Sequence, residues 1–524
     1  MRRFIVALLL AALGLGVGGV WALTRFYDPT PGPHEAIGLV PPDALSYVHL
    51  SLDPSNVQKK ALRRILSRFT EDGSFEETKD SVGKLLDPFL SQFGLSYEDD
   101  VDPWLGDEVA MFFTAPTEGS GEPEAAVMMA TEDVAAARRA ARAVGRRTSD
   151  GTGGLESYRG VRYEVFRSAI PSDTVAFTVL DGFLVLGSVE GLRDAIDASS
   201  TESLSEDDGY ELVVDPLHDD HLVSVYVDTP GILEQVPLDP EIMGTVDALR
   251  LREGAGIGAF SLRVEGDGAV LEASSTVGDG FGRTLASAVD GESPLSDLPA
   301  DAWFATGVPK LEPLVTSVLD LVASTGDGDF ERDFADLTGV DLSDDVLDWA
   351  EDGSLFLTGD SLLTLGGAVV VGSSDPSATV AVVDAIGARI EAEFSGSRAE
   401  VEREGLQGFD LRGLTPAPIT VLAGERLIAA YGGIAAGSAV SPEETLGATD
   451  LFRRAEAALG SGQEPLIFID LKAARELVEA NLPGFLRGPY ERDVKRFLTP
   501  LSYAVAGIER RDEVLFQRLI VGVE

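Results

Sequence analysis

The chain of 524 residues contains no cysteine. That excludes disulfides, thiolate metal sites, a cysteine nucleophile and a lipoprotein-type anchor. It leaves the compartment open, because an exported protein can fold without bridges. Histidine is nearly absent too. The four, at positions 34, 49, 218 and 221, are too few and too scattered along the chain for an obvious metal centre. Positive charge is in deficit: 41 Lys and Arg face 88 Asp and Glu, for a net charge of −47 and a pI near 4.3. A phosphate backbone needs a basic footprint to release its counterions, so nucleic acid is not expected as a partner. A broad anionic leaflet repels such a chain for the same reason. The charge reads as a solvated surface kept soluble by self-repulsion rather than as a sink for divalent cations.

Catalytic motifs are missing as well. There is no Gly-x-Ser-x-Gly elbow, phosphate-cradling loop or His-Glu-x-x-His. Ser81-Val82-Gly83-Lys84 has the serine–lysine spacing of penicillin-recognising enzymes, without their other two motifs. The expectation is a protein that is not an enzyme, with no cofactor and no metal.

What is present is an anchor and a repetition. Met1-Arg2-Arg3 precedes an uncharged apolar run from Phe4 to Leu23. About 20 residues at about 1.5 Å each span the hydrocarbon thickness of a bilayer. The arginines before it put the N-terminus in the cytoplasm and the rest outside. The length of the run favours a retained anchor over a signal peptide cut after Val20-Trp21-Ala22. Gly14 and Gly18 form a small-xxx-small pair. Asp28-Pro29-Thr30-Pro31-Gly32-Pro33 reads as a stiff stalk. Expected boundaries are 1–24 for the signal-anchor, 25–38 for the stalk, 39–280 and 297–524 for two repeats, and 281–296 for a linker.

The repeats open alike, Val40-Pro41-Pro42-Asp43-Ala44 and Leu298-Pro299-Ala300-Asp301-Ala302, each running into an apolar strand. Helices are expected from Asn56 to Phe69 and from Phe75 to Phe93, matched by Leu311 to Val322 and Phe330 to Leu337. Acidic stretches holding Trp104 and Trp349 lead into strands Val109 to Thr114 and Ser354 to Thr358. Apolar strands then end in Asp133 and Asp375, which cap helices Val134 to Val144 and Ser377 to Phe394. A short strand around Gly160 answers one around Gly408. Hairpins turn at Asp181-Gly182 and Gly424-Glu425, and at Glu265-Gly266-Asp267-Gly268 and Arg510-Arg511-Asp512-Glu513. The fold class expected is α+β: two tandem copies of a mainly antiparallel sheet covered by helices, preceded by one transmembrane helix.

Few residues compete for a functional role. Trp104 with Asp107, and Trp349 with Asp352, offer an indole and a carboxylate three residues apart. Repetition in both copies favours a structural role over a ligand platform. His218-Asp219-Asp220-His221 is the one histidine cluster, and it reads as a solvated loop, since neighbours in a strand point to opposite faces. Asp327, Asp329, Glu331 and Asp333 resemble a calcium loop without its central glycine or distal glutamate.

The Val-Pro-x-Asp-Ala opening with Asp53-Pro54, the block Pro103-Trp104-Leu105-Gly106-Asp107-Glu108, Tyr158-Arg159-Gly160-Val161 and Gly182-Phe183-Leu184-Val185-Leu186-Gly187-Ser188 resemble a bacterial family of anchored, exported proteins catalogued as domain of unknown function 3352. The likeness is clearest in the first copy. It implies an extracytoplasmic location and carries over no catalytic residue. The function expected is a non-enzymatic binding module of the cell envelope, taking a protein partner or an apolar, lipid-like ligand. The alternatives are an envelope hydrolase using a carboxylate pair, and a structural spacer.

Overall fold

In a computed structural model of the protein, the residues described are 34–69, 91, 95–117, 123–148, 153–169, 174–235, 256–278, 281–324, 330–393, 397–413 and 415–524. The expected anchor at 4–23, the Pro-rich run 28–33, the helix expected from Phe75 to Phe93 (Ser91 excepted), the Ser81–Lys84 pair, Asp327 and Asp329 lie outside them. Among the described residues no helix is long and apolar enough to cross a membrane.

The described residues fall into two compact units, 34–235 with 256–276, and 277–524. In chain order the first contains β1 (Ser46–Ser51), β2 (Leu105–Thr114), β3 (Glu124–Thr131), β4 (Gly153–Tyr158), β5 (Val161–Phe166), β6 (Val175–Leu180), β7 (Phe183–Gly187), β8 (Val223–Asp228), β9 (Ile257–Glu265) and β10 (Gly268–Thr276). Every pairing is antiparallel, and the strands lie in the order β4-β5-β6-β7-β3-β2-β1-β8-β9-β10.

The second unit contains β11 (Phe304–Val308), β12 (Ala350–Thr358), β13 (Gly366–Ser373), β14 (Ser397–Arg403), β15 (Leu406–Arg412), β16 (Ile419–Ala423), β17 (Arg426–Tyr431), β18 (Pro465–Asp470), β19 (Leu501–Arg511) and β20 (Val514–Val523). Its order is β14-β15-β16-β17-β13-β12-β11-β18-β19-β20. Adding ten to each label of the first sheet yields the second. The class is α+β, mostly antiparallel sheet with helices.

Local chemistry repeats with the order. Asp133 Oδ1 accepts from the amides of Ala135 and Ala136 at 2.9 and 3.0 Å, and Asp375 Oδ1 from those of Ser377 and Ala378 at 2.9 and 3.1 Å. These bonds satisfy free donors at the starts of helices Val134–Thr148 and Pro376–Glu393. The first of these helices buries Ala137, Ala140, Ala141 and Gly145, small residues at helical spacing that let it lie close to the sheet. Phe112, Met128, Tyr163, Phe177 and Leu184 fill the first core; Phe356, Phe409, Phe452, Phe468 and Phe516 fill the second.

Two expectations need correction. Gly160 is not in a strand. It follows Arg159 in the turn between β4 and β5, with φ of +87° and +45° respectively, because a two-residue hairpin of this twist needs both in the left-handed region. Its counterpart is Gly405 in the Glu404-Gly405 turn, whereas Gly408 lies inside β15. The segment 281–296, expected as a linker, holds helix Phe281–Ala288 and a turn of 3-10 helix, Pro294–Asp297. Ala286, Ala288, Val289 and Leu295 are buried there, an apolar stripe that the surrounding Ser, Gly and Asp conceal.

The two glycines should respond differently to alanine. At Gly408 an added Cβ would lie 1.9 Å from the carbonyl oxygen of Val421, so β15 and β16 must separate. At Gly160 a Cβ meets nothing and only the positive φ is strained. Gly408→Ala is expected to destabilise by about 2–3 kcal/mol and Gly160→Ala by about 1 kcal/mol, read from denaturant unfolding. Equal costs would contradict the close approach at β15.

Candidate metal centre in the first unit

Strand β1 lies between β2 and β8. Directly opposed residues of an antiparallel pair share a face, as do residues two apart on one strand. His49 opposes Ala110, so Glu108 stands on the same face as His49, one diagonal step away. Its Oε1 lies 3.2 Å from His49 Nε2. His221 sits in the turn that enters β8, and His34 in the segment leading to β1. One ring nitrogen from each of His34, His49 and His221 falls within 4.8 Å of the others. His34 Nδ1 is 3.2 Å from His49 Nε2, and the His34 and His221 rings stack with centroids 4.8 Å apart.

Backbone carbonyls orient two of the three rings. His221 Nδ1 is 3.1 Å from the carbonyl of His218, and His34 Nε2 is 3.4 Å from that of Asp219. A carbonyl only accepts, so those nitrogens carry the protons and leave His221 Nε2 and His34 Nδ1 as lone pairs. His221 Nε2 and His49 Nδ1 are buried with no partner among the described residues, and so is the Tyr47 hydroxyl two residues from His49. Main chain also holds the carboxyl: Glu108 Oε2 accepts from the Glu35 amide and Oε1 from the Ala36 amide, both at 3.1 Å.

Burial sets the protonation states. It pushes Glu108 up to about 7, against the pull of the Ala36 and Glu35 amides and of His34. Burial, then His34, holds His49 well below the usual imidazole range. Burial, then His49 and His34, lowers His221 to about 4. At neutral pH both buried imidazoles are uncharged, the form that ligates a metal.

The residues fit a divalent transition-metal ion. Metal–nitrogen bonds of about 2.0–2.1 Å in a tetrahedron place ligand atoms about 3.3 Å apart. The His34–His49 and His49–Glu108 separations are 3.2 Å, and the three imidazole nitrogens lie within 4.8 Å, so His221 would have to close in. Imidazole suits zinc, copper, iron and nickel rather than calcium or magnesium. His49 is 2% exposed, Glu108 3% and His221 9%, with His34 the most exposed of the set. The three imidazoles are the mutually close set, and Glu108 stands beside His49 at its buried end while His34 lies at the exposed one.

The sequence reading of scattered histidines is therefore corrected: three of the four converge, because separation along the chain says nothing about separation across a sheet. His218 does not join them. Its Nδ1 accepts from the Asp220 amide at 3.0 Å, while the Asp220 carboxylate takes Ser55 Oγ at 2.5 Å beside helix Asn56–Leu66. His221 is no solvated loop residue.

The indoles are placed otherwise. Trp104 and Trp349 are each 3% exposed, and each Nε1 donates to the carbonyl four residues earlier, Asp100 at 2.5 Å and Asp345 at 2.6 Å. Burial, opposed by its own backbone and reinforced by Glu351 and Asp297, raises the Asp352 carboxyl. Sheet register pairs Asp352 with Glu108 rather than with Asp107. The bulge in β2 inserts three residues between Leu105 and Val109, and that in β12 only two between Ala350 and Gly353. The same register sets Gly307 opposite Ser354, where His49 opposes Ala110. Gln463, two residues before β18, holds the place of His221 two residues before β8. The second unit thus keeps a carboxylate and lacks the imidazoles.

A second feature of the first unit is a cavity of about 530 Å³ lined by Pro41, Pro42, Asp43, Asp194, Asp197 and Glu202 among others. Burial pushes Asp194 up to about 6, relieved by the Thr114 hydroxyl, 3.0 Å from Oδ2, and reinforced by Asp43, Glu190 and Glu124.

Over residues 4–503 the sequence matches the family described as "Protein of unknown function (DUF3352)". The chain belongs to that family. No curated protein matches it in sequence. Among solved structures it is similar to crystal forms III and I of TP0453, at 13% and 12% identity, with TM-scores of 0.24 and 0.23. Those alignments cover 51% and 49% of this chain and 90% and 81% of the others. A likeness at that level carries no argument about fold or function.

Asp194 gives a test by pH. A carboxyl raised in the folded state holds its proton after the unfolded one has lost it, so stability falls as pH rises from about 4 to about 6. Asp194→Asn is expected to stabilise by about 1 kcal/mol at pH 7.5, after allowance for solvent screening, and to be neutral near pH 4. Thermal melts across that range check it. A benefit at pH 4 as large as at pH 7.5 would refute the desolvation account.

Proposed function

We propose that the protein is a membrane-attached, extracytoplasmic binding module of the cell envelope, without catalytic activity, whose first unit holds one divalent transition-metal ion. The observation that carries this is the convergence of His34, His49 and His221, with Glu108 3.2 Å from His49 and a buried lone pair on His221 left without a partner. A purely structural spacer gives no reason for it, since an unpaired buried polar group costs about 1–3 kcal/mol. The apolar run at 4–23 with Arg2 and Arg3 before it supports attachment, with the N-terminus inside and the bulk outside. A phosphatase fused after Glu524 should be active in cells and a cytoplasmic reporter at the same place should not.

Two oriented imidazoles, a third held by packing and a carboxylate favour zinc or copper. Titrated into metal-free protein, Zn²⁺ or Co²⁺ is expected to bind once per chain, with Co²⁺ giving the visible bands of four-coordination. At a free concentration 100-fold above Kd the ion should stabilise by about 2.7 kcal/mol. His49→Ala and His221→Ala should abolish both effects and His218→Ala should leave them. Unchanged uptake by a His49→Ala/His221→Ala double variant would sink the proposal.

The hydrolase reading keeps one specific support, the raised Asp194 beside Asp43 in a cavity, the state expected of a general acid near neutral pH. It requires turnover of chromogenic glycosides or esters that Asp194→Asn abolishes and His221→Ala spares.

A further inference from the structure

Between β18 and β19 the second unit makes an excursion: helices Leu471–Asn481 and Gly484–Pro489, the turn Tyr490–Val494, and Lys495–Leu498. None of these four pieces contains a buried residue. Polar groups hold the excursion together from within. Glu479 accepts from the Tyr490 hydroxyl at 2.8 Å and from Lys495 Nζ at 3.0 Å, and Arg475 Nη1 donates to the carbonyls of Leu498 and Thr499 at 2.8 and 3.1 Å. The apolar side chains face out instead: Phe485 is 79% exposed, Leu486 44%, Phe497 46% and Leu498 36%. This inverts the usual partition of polar and apolar groups on a surface helix.

Charge identifies what covers them. From 471 to 499 the basic residues Lys472, Arg475, Arg487, Arg492, Lys495 and Arg496 outnumber the acidic Glu476, Glu479, Glu491 and Asp493, six against four, a local charge of +2 in a chain of −47. The two apolar tips are Phe485-Leu486-Arg487 and Arg496-Phe497-Leu498, and the Arg496 guanidinium lies 4.6 Å from the centre of the Phe497 ring. Phe and Leu entering the acyl boundary, with arginine beside them at headgroup level, are the chemistry of an interfacial anchor. The rest of the chain, at −49 by difference, is repelled by the same surface and keeps its distance.

We propose that the excursion 471–498 is a membrane-surface docking site, which seats Phe485, Leu486, Phe497 and Leu498 in the interface of an anionic bilayer. It depends neither on the metal centre nor on the run at 4–23.

The absence of cysteine makes the test clean, because one introduced thiol takes one label. Full-length Phe485→Cys and Phe497→Cys carry a nitroxide and are reconstituted in vesicles of equal phosphatidylglycerol and phosphatidylcholine. Leu363→Cys, at a side chain 98% exposed on another loop, is the reference. Labels at 485 and 497 should gain collisions with oxygen and lose those with an aqueous nickel complex, several-fold relative to 363. Adding Arg487→Glu and Arg496→Glu should return them to water, by about tenfold or more in the partition. Water-exposed labels at 485 and 497 overturn the proposal and leave these tips to a protein partner. Protection that the charge reversals do not alter overturns it equally, because the anionic surface is then not what is recognised.

Discussion

The antiparallel ladder that seats β1 between β2 and β8 is the constraint on which the centre depends. It sets His49 and Glu108 on one face, a diagonal step apart, and brings the turn carrying His221 to the end of the same strand. A shift of one residue along that ladder would turn His49 to the opposite face, since side chains alternate with a period of two. Once buried there, the groups have little choice of partner. The Glu108 carboxyl is met by two main-chain amides, and two imidazoles by main-chain carbonyls.

The second unit acts as an internal control for this reading. It repeats the strand order, the Asp caps at Asp133 and Asp375, and the buried indoles at Trp104 and Trp349. It repeats the bond that ties the opening segment down: the Leu204 amide donates to the Val40 carbonyl at 2.8 Å, and the Leu446 amide to Leu298 at 2.6 Å. Features held in common maintain the shared sheet. The places of His49 and His221 are taken by Gly307 and Gln463, so the imidazoles are not needed to build that sheet. The excursion after β18 is stabilised by polar contacts along itself and is apolar toward solvent.

Charge and burial divide the chemistry between these places. A net charge of −47 keeps most of the surface solvated. Surface acids such as Asp290 and Glu479 are lowered by a lysine partner, whereas the groups that the sheet desolvates shift through burial. Glu108 and Asp194 rise, and His49 and His221 fall, all through burial first. Neighbouring charges only adjust the result.

Much of the fold was legible along the chain because its signals are local. Proline and aspartate before an apolar run, an aspartate ahead of a helix, and Asp181-Gly182 between two strands act within a few residues, so they can be read without knowing what lies across the sheet. The helix at Phe281–Ala288 escaped because small polar residues masked a narrow apolar stripe. The centre was not legible at all. His34, His49, Glu108 and His221 span 187 positions, and neither spacing nor composition joins them. A bulge one residue longer in β2 than in β12 hid even the correspondence of Glu108 with Asp352. Sequence by itself determined the strands, their turns and the repetition, through backbone preferences that act at short range. The tertiary structure alone decided which distant side chains share a face, because pairing register and burial are properties of strands that meet in space.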